Sequence, residues 1–397
     1  MGNESLKQVA PPFTDNPNVW FLEQIVPPAI PAFYHHSERN LGGSCVPRTD
    51  WTERLAQIHR PSMTVVVPQR NEQTIATSIA SLVLADKPPG LDIHILYVSN
   101  GCTDDSPDKI DAQMARFGVC EKVESNSLFT KKDGEPVDKF VDPNIDRLAT
   151  TTSNGLVRMS HVRTTTPGKP NATNVGLRLA LARGDRILTS TDANNTINPE
   201  SLSSIFTNAS QKFDGDTVIL ASGLYYFFSN NRFTRLMGCA NTVRHHNSDH
   251  TKPPEHCTGG LYAVDTQWLE SIGGVPNTLI EDHTLGLRAK YGGKKIQHGG
   301  GTVWSWGYAS LEDRRKVYRR WKKGIPQERK YFCAQNVPQG NHTDTTPLNR
   351  IRQKIDGLLH RETPRESLLE CLLYADYKLS PPKNMDPAVI EPTESTR

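Results

Sequence analysis

The sequence has no long apolar run. No stretch approaches the ~18 residues that a membrane-crossing helix requires, so no membrane span is expected. It has no paired cysteine spacing either. Its seven cysteines stand singly, at 45, 102, 120, 239, 257, 333 and 371. An odd number without C-x-x-C disfavours a disulfide framework and a dedicated zinc site, and suits a reducing compartment. Residues 1–5 lack the apolar core of a signal peptide. Position 6 is Leu, not the Ser or Thr that N-terminal acylation wants. A soluble, cytoplasmic protein is the expectation. A concentrated basic face is also lacking, since the net charge is only +3, and no nucleic-acid partner is expected. The densest basic stretch, 314–323, reads equally as a solvated helix face or as a seat for an anionic group.

What is there is enough chain for a sizeable core: 397 residues, 36% apolar. The composition divides it in three. Residues 1–60 are rich in Pro and Asn with interspersed aromatics, and read as an extended arm ending in a short helix near 52–58. Residues 61–330 carry the regular part. Residues 331–397 read as a helical extension, with amphipathic stretches at 348–359 and 366–379 and a disordered Pro-rich end. Those two helices offer a surface for homo-oligomerisation.

In the regular part, 63–68 is a β-branched run closed by Pro68, and 93–98 is a second strand. Between them Ile75, Ile79, Leu82 and Val83 fall at helical spacing. Strand, helix, strand at this distance is a βαβ unit with a right-handed crossover. A helix is expected over 108–117, and 118–160 is polar and less regular. A helix over 177–182 ends at Gly184, and 186–188 forms a strand. Further strands are expected at 218–221 and 302–304. Helices are expected from Glu281 to about 291 and from 311 to 323, the second stopping at Gly324.

The strand at 186–188 ends in Thr191-Asp192-Ala193-Asn194. In open α/β sheets ligands bind beyond the carboxyl ends of the strands. A carboxylate there, two residues before a second oxygen ligand, can hold a hard divalent cation. Read from these residues alone, the segment is first of all a capped turn before the helix near Pro199.

Five pieces occur in order. They are a strand followed by Pro68-x-x-Asn71-Glu72, a strand followed by Ser99-Asn100-Gly101-Cys102-Thr103-Asp104, then Gly168-Lys169-x-x-Ala172-x-Asn174-x-Gly176, then Asp192-Ala193-Asn194, and finally Glu281-Asp282 ahead of Arg320-Trp321. This ordered set, across about 62–325, resembles the family-2 glycosyltransferases of the GT-A fold. The resemblance implies an α/β domain with a mixed, mainly parallel sheet flanked by helices. It implies a soluble, inverting enzyme that moves one sugar from a nucleotide sugar to a small-molecule or peptide acceptor.

The resemblance also implies roles. Pro68, Arg70, Asn71 and Glu72 would cradle the nucleotide, and Asn100 would meet the base. Lys169 would offset the diphosphate's charge, with Asn174 facing the cleft. Asp192 and Asn194 would bind Mg²⁺ or Mn²⁺, held jointly with the donor. Asp282, with Glu281 second, would take the acceptor's proton. Gly259 and Gly260 would line the acceptor site, where Trp304 and Trp306 are candidate stacking platforms. The His that many members supply as a further ligand after the acidic pair is lacking in 303–306; His298 is the nearest. Val317 replaces the Gln of the processive members' Gln-x-x-Arg-Trp, which favours single transfer. Two other classes stay open. One is a nucleotidyltransferase, although 68–72 lacks the glycine-rich loop such an enzyme wants. The other is a catalytically degenerate protein that binds a nucleotide sugar.

Overall fold

The structure, a computed structural model, describes residues 61–72, 74–87, 90–154, 157–212, 218–228, 257–306 and 311–335. The arm at 1–60, the histidines at 245, 246, 250 and 256 and the helices expected at 348–359 and 366–379 lie outside the described residues.

The β-branched run becomes β1 (Ser62–Gln69), paired in parallel with β2 (Asp92–Asn100) on one side and β6 (Ile187–Thr191) on the other. Side chains alternate across a strand. Met63, Val65 and Val67 therefore enter the core on one face, and Val66 the core on the other. This double burial explains why β1 reads as a continuous apolar run. Pro68 lies within β1, but the pairing with β6 ends at Val66. The missing N–H thus costs no ladder bond on that side.

The described strands form one ten-stranded sheet, ordered β3-β4-β5-β2-β1-β6-β9-β8-β10-β7. The outer strands are β3 (Glu121–Glu124), β4 (Leu148–Ser153) and β5 (Arg158–Thr164) at one end. At the other lie β9 (Leu261–Asp265), β8 (Val218–Phe228), β10 (Lys295–Trp306) and β7 (Asn195–Ile197). From the pairings, β3, β5, β2, β1, β6, β8 and β10 run one way, and β4, β9 and β7 run the other. The sheet is mixed and flanked by helices on both faces, as expected, but five of its nine pairings are antiparallel.

On one face α1 (Ile75–Leu84), α2 (Ser106–Met114) and α5 (Ser201–Lys212) cover Met63, Val65 and Val67. On the other lie α4 (Lys169–Arg183), α6 (Thr266–Ser271) and α7 (Glu281–Tyr291). A single turn, α3 (Ser125–Leu128), follows β3. The supposedly irregular stretch 118–160 thus holds three strands. β3 and β4 are short and polar, and the polar residues buried within β5 interrupt the period-2 signal.

Two helices are longer than expected. α4 begins at Lys169, not near 177, because Gly168 (φ 113°) supplies a backbone turn closed to other residues and Pro170 suits a first helical turn. α8 (Leu311–Ala334) continues through Gly324 and Pro326, and crosses position 330. Gly324 does not stop it. A Cβ there would lie 2.8 Å from two carbons of Ile280, so the glycine permits close packing on the segment before α7.

Gly176 does the same for α4. A Cβ at 176 would stand 2.5 Å from Val66 Cβ. Gly176→Ala should destabilise the protein by about 1–3 kcal/mol through overpacking. Thermal melts check this, and the added Val66→Ala change should recover part of the loss.

Candidate active site

The parallel strands β1, β2, β5 and β6 end on one edge of the sheet. The turn Asp192–Asn194 leaves β6 there, and α4 starts there with Lys169. Because β9 is antiparallel to β6, its first residue Leu261 pairs with Thr191, which brings Gly259 and Gly260 to the same edge. α7 enters with Glu281 and Asp282 in its first turn.

Lys169 gathers these pieces. Its Nζ lies 2.5 Å from Asp192 Oδ1 and 3.1 Å from Glu281 Oε1, and donates to the Gly259 carbonyl at 3.1 Å. A Cβ on Gly259 would stand 2.7 Å from Asp282 Oδ2 and 3.2 Å from that ammonium. What the glycine admits so closely is the charged cluster itself. Burial alone would weaken Lys169's hold on its proton, but Asp192, Glu281 and Asp282 more than offset it. The ammonium is held well above the ordinary lysine value. A cation in the first turn of a helix is disfavoured by the macrodipole; here the carboxylates compensate. Glu281 is 5% exposed, and burial raises it above the usual carboxylate range, with Lys169 opposing. Arg320 of α8 also bears on Glu281. Asp282 is less buried than Glu281, which makes it the more open of the two.

Gly260 is fixed from the other side. Thr191 Oγ1 and Asn195 Nδ2 both donate to its carbonyl, at 2.8 and 2.7 Å. Asn195 lies one residue beyond the recognisable Asp-Ala-Asn, and no motif announces it.

Beyond the end of β1, Asn71 (φ 52°) bonds the main-chain N–H and hydroxyl of Thr103 through its amide, joining the loops after β1 and β2. Glu72 accepts from the Thr74 N–H and hydroxyl. Both side chains shape the loop, so a cradle here would be built from its backbone. Arg70 is half-buried in the same turn. Asn100 ends β2 at 3% exposure, and its Oδ1 has no hydrogen-bond partner.

Beneath this lies a polar network that no sequence motif announced. Asp111 Oδ1 meets His161 Nδ1 at 2.8 Å, and His161 Nε2 meets Ser99 Oγ at 2.8 Å. Burial lowers the imidazole's proton affinity more than Asp111 raises it, so the ring is neutral. Nδ1–H then donates to Asp111, while Ser99 Oγ lies 2.8 Å from both Nε2 and Gln69 Oε1, so its one proton serves either acceptor. Cys102 Sγ donates to Gln69 Oε1 at 3.0 Å, and Gln69 Nε2 donates to Ser106. Carboxylate, imidazole and hydroxyl stand in the order of a hydrolase relay. Ser99 and His161 are only 2% and 1% exposed, so this relay is closed to substrate and braces the strand ends.

Three expected placements change. Asn174 does not face the cleft; its Oδ1 accepts from Val275 N at 2.8 Å and its Nδ2 reaches Val275 O. Five residues separate it from Lys169, roughly 140° around a helix, so the two cannot share a face. Trp304 is no stacking platform. It is 2% exposed and its Nε1 donates to Asn198 at 2.7 Å. Trp306 pairs with Phe228 through the backbone, and its side chain lies outside the described residues. Asp192 meets a lysine ammonium where a metal ion was expected.

The fit to Mg²⁺ or Mn²⁺ is therefore limited. Among the described residues no group of three His, Cys, Asp or Glu side chains could hold an ion. His298 lies in β10 opposite Ser222, in no such group. The Asp192 side chain is 31% exposed, so its carboxylate fits a divalent ion when other ligands, such as phosphate oxygens, complete the shell. Asn194, a part-buried neutral amide, would add little.

The Lys169 loop has its own anchor. Asp142, 6% exposed, accepts from Thr164, Thr166 and Asn171 side chains and from Asn144 N. Burial would raise its carboxyl, but these donors win and hold it below the usual value. A depressed folded value gives stability that is present above the unfolded carboxylate range and lost as pH falls through the folded value. Asp142→Asn should thus lower the melting temperature at pH 7. The gap from the parent protein should narrow as the buffer is taken from pH 6 to pH 3.

No family model matches the chain, and no curated protein does. Its structure is similar to that of the mannosyltransferase PcManGT from Pyrobaculum calidifontis, which was solved in complex with GDP-Man and Mn²⁺. The TM-score is 0.46 at 16% identity, covering 90% of this chain and 87% of that one. It is also similar to S. aureus TarS, with a TM-score of 0.36 at 16% identity, covering 65% of this chain and 38% of TarS. Among the described residues no helix is long and apolar enough to cross a membrane.

Proposed function

We propose that the chain is a nucleotide-sugar-dependent glycosyltransferase that moves one sugar, with inversion, to a small-molecule or peptide acceptor. The observation that carries this is the convergence of Lys169, Asp192, Glu281, Asp282 and Gly259 on one sheet edge, beside the β1 and β2 ends. The N-termini of α4 and α7 meet there, and helix N-termini suit a diphosphate. Asn100, with its unpartnered Oδ1, suits an N–H on the edge of a base.

In this reading Asp282 is the general base. The acceptor hydroxyl attacks the anomeric carbon as Asp282 takes its proton, and the bond to the diphosphate breaks on the opposite face. Glu281 is too buried for that task and fixes Lys169. Lys169 meets the negative charge that grows on the departing diphosphate. Asp192, together with the phosphates, would hold a divalent cation, which supplies further neutralisation of that charge.

Asp282→Asn tests the assignment. With a panel of nucleotide sugars and acceptors, kcat should fall by about 10²–10⁴-fold, while nucleoside diphosphate binding stays within about threefold. Undiminished turnover in this variant rejects Asp282 as the base.

A non-catalytic nucleotide-sugar binder is the second reading. It is favoured by neutral amides at Asn100 and Asn194, where carboxylates are usual in the resembled family. Turnover of any donor by the parent protein rules it out.

A further inference from the structure

Asp282 is aimed without a tether. Its Oδ2 comes so near Gly259 that a Cβ there would stand 2.7 Å away, yet among the described residues no hydrogen bond or ion pair fixes the carboxylate. Its direction is therefore set by the backbone that carries it, and that backbone has no cap of its own. The residue before α7 is Ile280, which offers no side-chain acceptor to the free N–H groups of the first turn. The support comes from α8 instead. Trp321, Gly324 and Glu328 fall at i, i+3 and i+7 and share one face of that helix. The Trp321 ring meets His283 edge to face, with centroids 5.3 Å apart. Gly324 admits Ile280, and Gln327 accepts from Leu279 N at 3.0 Å. Glu328 Oε2 lies 2.8 Å from His283 Nδ1 and 3.0 Å from Thr284 Oγ1. The Thr284 hydroxyl also has the Ile280 carbonyl at 3.0 Å, but a carboxylate is the stronger acceptor. These contacts fall on Leu279, Ile280, His283 and Thr284, and so bracket Glu281 and Asp282 on both sides.

We propose that Glu328 is a positioning residue for Asp282. Through it α8 fixes the uncapped start of α7, and so sets the aim of the carboxylate. Glu328 is 3% exposed, and a buried carboxylate is costly unless it is bonded. It therefore holds His283 and Thr284 rather than exchanging them for water. One oxygen grips two consecutive residues of α7, which fixes the rotation of that helix about its axis as well as its distance from α8. A small rotation would swing Asp282 away from Gly259. Glu281 cannot take its place, being paired with Lys169. The ends of β1 and β2 make none of these contacts, so the loss of Glu328 should spare the donor's nucleotide. The inference rests on the glycosyltransferase reading for the reaction that Asp282 serves. The placement of Asp282 by α8 rests on the contacts alone.

Two substitutions in the full-length protein test this. Glu328→Leu keeps the bulk and removes both acceptor oxygens, whereas Glu328→Gln keeps one oxygen for the same donors. With kcat counted per site that binds UDP or GDP, Glu328→Leu should lower kcat by about 10–100-fold. The donor KM and the nucleotide affinity should stay within about threefold of the parent. Glu328→Gln should return kcat to within about threefold of the parent. A role in stability alone would change the number of binding sites and leave kcat per site untouched. Unchanged kcat per site in Glu328→Leu would therefore overturn the proposal, as would a loss that falls equally on nucleotide affinity. If Glu328→Leu does not fold, Gly324→Ala serves in its place with the same expectation, because its Cβ forces α8 and Ile280 apart. Crystal structures give a readout free of turnover. Relative to the parent, the Asp282 carboxylate should move off Gly259 in Glu328→Leu and stay in Glu328→Gln; an unmoved carboxylate in Glu328→Leu refutes the placement. Should the parent turn over no donor, the glycosyltransferase reading fails, while the crystal structures still decide the placement.

Discussion

One ammonium holds this site together. Asp192 follows β6, Glu281 and Asp282 open α7, Gly259 precedes β9, and Lys169 opens α4. No strand pairing joins all four segments at that edge. Lys169 Nζ bonds the other three directly and lies near a third carboxylate, Asp282. Like charges this close repel strongly in a poorly solvated setting, so the carboxylates need a cation among them. The geometry follows from that requirement. A glycine at 259 makes room, and Asp142 places the loop that delivers the lysine.

Around this cluster the protein uses neutral polar groups where charge would be costly. Ser99, His161, Gln69 and Cys102 pass hydrogen bonds from one strand end to the next. Thr191 and Asn195 saturate the Gly260 carbonyl. Buried groups of this kind rigidify a site when each has its partner. Asn100 Oδ1, at the end of β2, and Asn195 Oδ1 are buried without one.

Much of the fold was legible because burial leaves periodic traces. β1 declared itself through uninterrupted Val residues, α1 through Ile75, Ile79 and Leu82, and α7 through its acidic start. The cluster was legible only as a set of short motifs in order. What escaped notice had physical causes. The first two turns of α4 read Lys-Pro-Asn-Ala-Thr-Asn-Val, in which Pro, Asn and Thr are poor helix formers held by tertiary contacts. Trp304 looked available because an indole in a sequence shows no burial. His161 and Asp111 are fifty residues apart and meet only through the pairing of β2 with β5. Gly324 read as a stop because close helix packing and helix ending select the same residue.

α8 gives the division of the chain a practical meaning. Glu328, 3% exposed, accepts from Thr284 and meets His283, the residue beside Asp282, while Gln327 accepts from Leu279 N. The last four carbonyls of a helix lack internal partners and fray. A fragment trimmed at residue 330 would put Glu328 and Gln327 in that fraying turn, loosening the buttress behind the acidic pair. The smallest fragment that keeps the site intact therefore has to carry α8 whole, beyond the point where the composition changes.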